Sequence, residues 1–173
     1  MRAIAYQQLH DKAAESILKR LIALFPGRRF PGPADILATH WRMMRRAGFS
    51  RAKIAALKDL AAKALDGTVP TSRVIKRLDD ETIVERLMVV RGIGRWTAEM
   101  LLIFHLGRPD VLPVDDFGVR NGFRIAYGRR SLPTPKAMLR YGERWKPYRT
   151  VASWYLWRAA DGGKQKQAPR ING

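Results

Sequence analysis

Two stretches of helical apolar periodicity meet at Arg91-Gly92-Ile93-Gly94, a join of only three or four residues. Before it, Ile83, Leu87 and Val90 share one helical face; after it, Met100, Leu101 and Phe104 continue the pattern until Gly107-Arg108-Pro109. Glycine lacks a β-carbon and tolerates positive φ, so a Gly-x-Gly turn can press its amides against a phosphate. The second helix opens on Arg95, which sets a cation beside the amides of a helix N-terminus. A glycine turn also joins many antiparallel helix pairs that bind nothing, so the turn alone is weak evidence. Downstream, Val114-Asp115-Asp116 couples the phosphate clamp to a carboxylate.

The rest of the chain is punctuated in the same way. Ile4, Leu9, Ala13, Ile17, Leu21 and Leu24 predict a first helix over residues 2 to 24, stopped by Phe25-Pro26-Gly27. Pro31-Gly32-Pro33 opens a short helix running through Trp41 to Arg46, and Gly48-Phe49-Ser50 is a C-cap followed by an N-cap. Ser50 starts a helix to Leu65, and Asp79 or Asp80 caps the helix before the hairpin. Pro113 argues against a strand over 110 to 114. Asp115 or Asp116 caps a helix to about Tyr127, Thr134-Pro135 opens another, and Pro147 opens the last, to Ala160. No segment alternates strictly, so the expected fold is all-α. One domain is expected over residues 1–160, with its hairpin at about 80–107, and then a basic flexible tail over 161–173.

With 33 Lys plus Arg against 15 Asp plus Glu, the net charge is +18, the balance of a protein that meets a polyanion. Nucleic acid is the first candidate and an anionic membrane surface the second. No run approaches the roughly 18 apolar residues of a spanning helix, and no signal peptide is recognisable, so a soluble intracellular protein is expected. Without cysteine there is no disulfide, thiolate-bound zinc or iron–sulfur cluster, and His10, His40 and His105 are too scattered for a metal pair.

Residues Leu87 to Ala98, with Leu112-Pro113-Val114-Asp115-Asp116 downstream and Glu143-Arg144-Trp145-Lys146-Pro147-Tyr148-Arg149 beyond, resemble the helix-hairpin-helix DNA glycosylases. The branch most similar is 3-methyladenine DNA glycosylase II, and the likeness covers Arg2 to Asp161. It implies two helical lobes flanking a cleft lined by Trp96, Asp116 and Trp157. The implied function is flipping and hydrolytic removal of alkylated purines from duplex DNA in base excision repair. A non-catalytic DNA-binding module is the alternative, retaining Gly92, Gly94 and the charge without needing Asp116.

The resemblance also assigns residues. Asp116 takes the position of the catalytic acid, leaving Asp115 the helix cap. Gly92, Ile93, Gly94, Arg95 and Thr97 grip the DNA backbone, together with a Na+ or K+ ion at hairpin carbonyls and no side-chain metal ligands. Lyases of the family place a lysine where this chain has Trp96, so a monofunctional enzyme using water is implied. Trp157 matches the pocket tryptophan of the last helix, whereas Trp154 and Tyr155 are expected to pack in the core. Met100 replaces an aromatic residue of the alkyladenine enzyme. In the first helix Gln8, with Leu9 next, aligns with the residue that fills the gap left by the flipped nucleotide. Arg42, Arg45, Arg46, Arg51 and Lys53 form a cluster that extends the DNA footprint or is simply solvated. Longer members carry an N-terminal β-rich domain before the first helix, whereas Met1-Arg2 opens directly inside it, so either a minimal form or a start lying upstream is expected. A monomer acting on damaged double-stranded DNA is expected, with no membrane partner and a cytoplasmic, nucleoid location.

Overall fold

The computed structural model describes Ile4, residues 11–27 and residues 30–166, and every regular element among them is helical. In chain order these are α1 (Asp11–Ala23), α2 (Pro33–Ala38), α3 (Trp41–Ala47), α4 (Arg51–Leu65), α5 (Ser72–Ile75) and α6 (Asp80–Met88). Next come α7 (Arg95–Phe104), α8 (Phe117–Ala126), α9 (Pro135–Gly142), a 3₁₀ turn (Glu143–Trp145) and α10 (Arg149–Lys166). Contacts divide the chain into two compact units, Met1–Ala98 and Glu99–Gly173.

Local chemistry sets most boundaries. Ser50, Asp79 and Thr134 each accept a hydrogen bond from a first-turn amide, of Lys53, Thr82 and Ala137 respectively. Gly48 ends α3 in the left-handed region at φ 108°, a conformation that costs other residues. The single helix expected from Pro33 to Arg46 is two, because Thr39 and His40 turn extended and His40 caps α3 through Nδ1. The short α5 had no periodicity from which to be anticipated.

Within the first unit, α2 packs on α4 and α3 on both α1 and α4. Ile36, Met44, Phe49, Leu57 and Ile83 are buried there almost completely. In the second unit α8 packs along α10 around Leu112, Val114, Val119, Phe123, Met138 and Leu156. That crossing is close: a β-carbon on Gly122 would lie 1.8 Å from the carbonyl oxygen of Leu156.

The last helix departs from expectation at both ends. Pro147 does not open it; the Lys146–Pro147 peptide is cis and helix begins at Arg149. Its amide and guanidinium both dock on Asp110, a cap supplied from 39 residues earlier. At the other end α10 continues to Lys166, past the boundary expected at Ala160, so residues 161–166 belong to the helix. Two glycines cost about 1 kcal/mol each relative to alanine, too little to stop an established helix that meets no proline.

Candidate active site

The turn of the hairpin lies in the first unit. Leu87 and Val90 are buried, and the amide of Ile93 donates to the carbonyl of Val90 at 3.0 Å, closing the turn. Gly92 sits at φ 77°, where an L side chain is strained; Gly94 has an ordinary φ, and an added β-carbon would meet nothing within 4 Å. Behind the turn stands Asp59 of α4, accepting from the Arg91 amide at 2.7 Å and from the Lys63 ammonium. These bonds, the backbone one foremost, hold its carboxyl below the usual range. Arg95 reaches back to Glu81, so its charge is shared across the hairpin. Arg91, Gly92 and Gly94 are exposed and Ile93 and Thr97 half-buried, while Trp96 keeps 47% of its surface exposed.

Asp116 lies in the second unit, at the end of a turn closed by its own amide donating to the Pro113 carbonyl at 3.0 Å. It also caps α8: Oδ1 accepts from the Val119 amide at 2.8 Å, and from the indole Nε1–H of Trp157 at 2.8 Å. Asp115, to which the cap was assigned, is exposed instead. The cap falls to Asp116 because it directly precedes the first helical residue, and the same residue meets the tryptophan.

Trp157 forms one wall of a pocket of about 470 Å³ shared with Phe104, Trp154, Arg158, Asp161 and Gly162. Phe104 stacks on Trp157 at 5.8 Å between centroids and meets Trp154 edge-on at 5.9 Å. Core packing for Trp154 and Tyr155 is therefore corrected: they are 48% and 71% exposed, and Trp154 lines the pocket. On α10 the buried stripe runs through Ser153, Leu156 and Ala160 toward α8, which turns these two residues outward. Sequence reading also passed over Phe104. Ala98 and Leu102 mark the buried face of α7, and an aromatic residue off that face, 56% exposed, was the available signal.

A second arrangement holds the segment before Asp116. The Arg149 guanidinium grips Asp110 with Nε at 2.7 Å and Nη2 at 2.9 Å, which lowers the Asp110 carboxyl below its ordinary range. Next to it, Thr150 Oγ1 donates to the Arg108 carbonyl at 2.7 Å and accepts from the Val111 amide at 3.0 Å. Neither pair could be matched from local spacing.

Of the remaining candidates, Met100 is half-buried, and Gln8 and Leu9 fall outside the described residues. In the basic cluster Arg45 is engaged with the Phe49 carbonyl at 2.8 Å, and Arg42 lies over the Trp41 ring. A longer basic stretch lies beyond Asp116: Arg120, Arg124, Arg129, Arg130, Lys136 and Arg140 precede Glu143 with no acid among them. Among the described residues no group of three or more His, Asp or Glu is placed to hold a metal ion, and no helix is long and apolar enough to cross a membrane.

Comparison with known proteins places this geometry. DNA-3-methyladenine glycosylase 1 of Schizosaccharomyces pombe is 44% identical over 160 residues, covering 92% of this chain and 70% of that protein. The structure of S. pombe 3-methyladenine DNA glycosylase (Mag1) in complex with abasic DNA superposes with a TM-score of 0.77 at 44% identity, covering 91% of this chain and 76% of the other. A Bacillus halodurans DNA-3-methyladenine glycosidase gives a TM-score of 0.86 at 34% identity, with 95% and 75% covered. Residues 1–147 match the model of the HhH-GPD superfamily base excision DNA repair proteins, and the chain belongs to that family.

Proposed function

We propose that this protein is a monofunctional DNA glycosylase that flips alkylated purines of the 3-methyladenine type out of duplex DNA and hydrolyses their glycosidic bond. The observation that carries the reading is a carboxylate, Asp116, hydrogen-bonded to the aromatic wall of a pocket. A cationic purine gains by stacking against electron-rich rings, and Phe104, Trp154 and Trp157 supply them. As the C1′–N bond breaks, its electron pair leaves with the base, which departs neutral, and positive charge develops on the sugar. The Asp116 carboxylate stabilises that charge; a water oxygen bonds to C1′, its proton passes to solvent, and an abasic site is left. No general acid is needed for a leaving group that already carries the charge. Trp96 takes the sequence position at which the family's lyases carry their Schiff-base lysine, so water is the nucleophile.

The backbone at Gly92, Ile93, Gly94, Arg95 and Thr97 holds the DNA phosphate. Open space at Gly94 supports this, since the glycine meets no intramolecular contact that requires it. Main-chain oxygens of the exposed turn are the donor type a Na+ or K+ ion takes, so the backbone of Gly92 to Gly94 would hold such an ion, which would supply positive charge for a phosphate. Met100, one turn before Phe104 on α7, adjusts substrate range; Gln8 or Leu9 fills the vacated stack. The protein acts as an intracellular monomer, its glycosylase domain running past residue 160 to include Asp161 and Gly162 of the pocket lining.

Duplexes carrying one defined alkylated base each, assayed for alkali-labile sites, test this. Asp116→Asn is expected to slow base release at least about 100-fold. Unchanged release in that variant overturns the mechanism, and a parent that binds DNA but releases no base is the non-catalytic module. Borohydride is expected to trap no covalent adduct.

A further inference from the structure

Trp157 does two things at once: its ring face stacks on Phe104, and its ring edge donates to Asp116. The edge contact is sterically dependent on a third residue. A β-carbon on Gly118 would fall 2.8 Å from Trp157 Cδ1, 3.1 Å from its Nε1 and 3.0 Å from Asp116 Oδ1. Gly118 lies within α8 with no left-handed φ, so the helix itself would accept alanine. The glycine is required by the neighbours and not by the backbone.

We propose that Trp157 is a positioning residue for the Asp116 carboxylate, and that Gly118 is the opening through which its indole N–H reaches Oδ1. This rests on the reading of Asp116 as the acting carboxylate. Two donors on one oxygen, the Val119 amide along the helix and the Trp157 indole from α10, fix the carboxylate plane from two directions. Because the same indole forms the pocket wall, the distance between a stacked base and the carboxylate is set by one rigid side chain. Binding a base against Trp157 thereby places its sugar against an oriented acid.

Stacking and positioning separate in Trp157→Phe, which keeps an aromatic face and loses the N–H. Under single turnover on a duplex with one alkylated purine, the expected result is base release slowed about tenfold or more, the size of a lost hydrogen bond to a charged acceptor. Gly118→Ala, which leaves the tryptophan in place but blocks its approach, is expected to show the same loss. In an Asp116→Ala background Trp157→Phe is expected to add no further loss, since the effect runs through the carboxylate. The indole N–H signal of Trp157, assigned by its absence in Trp157→Phe, is expected to exchange slowly in the parent and rapidly in both Gly118→Ala and Asp116→Ala. Equal losses in both backgrounds, or full activity in Gly118→Ala, overturn the positioning role alone. A parent that releases no base overturns the glycosylase reading and the positioning role with it.

Discussion

Gly92 and Gly94 stand two residues apart and are glycine for different reasons. Gly92 adopts φ 77°, so Gly92→Ala is expected to lower stability by about 1–2 kcal/mol, read as a shifted urea midpoint. Gly94 has no positive φ, and a β-carbon added to it would meet nothing within 4 Å. Gly94→Ala is expected to leave the midpoint unchanged and, on the proposed reading of the turn as the phosphate site, to weaken binding to undamaged duplex several-fold. Equal stability loss in both would mean that Gly94 serves the fold and not the ligand. The pattern Gly-x-Gly was visible in the sequence, but not this division, since φ is a property of the folded turn. The paired aspartates are similar. Adjacent carboxylates were legible; that Asp116 both caps α8 and meets Trp157, 41 residues on, was not.

At the scale of elements, the Asp110–Arg149 pair ties the start of α10 to the segment running into Asp116. Its acid–base behaviour gives a test. The two guanidinium hydrogen bonds, ahead of the opposing cost of burial, put the Asp110 carboxyl below its unfolded value. A carboxylate with a depressed folded pKa contributes stability above its unfolded pKa, about 3.9, and that contribution is lost as pH falls through the folded pKa. Asp110→Asn is therefore expected to be less stable than the parent at neutral pH. The difference in urea midpoint should shrink progressively below about pH 4. A difference that stays constant down to pH 2 would show that the pair contributes nothing through its charge. Helix starts marked by Ser50, Asp79 and Thr134 were readable because cap and helix adjoin. The start of α10 was not, because its cap comes from Asp110 across the second unit.

At the scale of the whole molecule, the charge of +18 dominates. Counterion release predicts that log affinity for duplex DNA falls linearly with log salt, by about 0.9 for each phosphate neutralised. Titration between 50 and 200 mM salt is expected to give a slope of several phosphates; a slope below one would exclude backbone contacts as the main source of affinity. The pairs Arg149–Asp110 and Arg95–Glu81 already cancel within that net charge, and Arg45, among the cations in excess, is engaged with the Phe49 carbonyl, so the slope falls short of the formal charge. Charge, helical period, the hairpin and the absence of cysteine are one-dimensional properties, and the sequence by itself determined an all-helical chain that meets a polyanion from them, its family likeness naming that polyanion as DNA. Only the tertiary structure decided which aspartate holds the tryptophan and that Phe104 and Trp154 line a pocket. It alone showed that the start of α10 is capped by Asp110, and why Gly118 and Gly122 have no side chain. Each of these depends on contacts between residues tens of positions apart, whose distances are set when helices pack and are absent from local spacing.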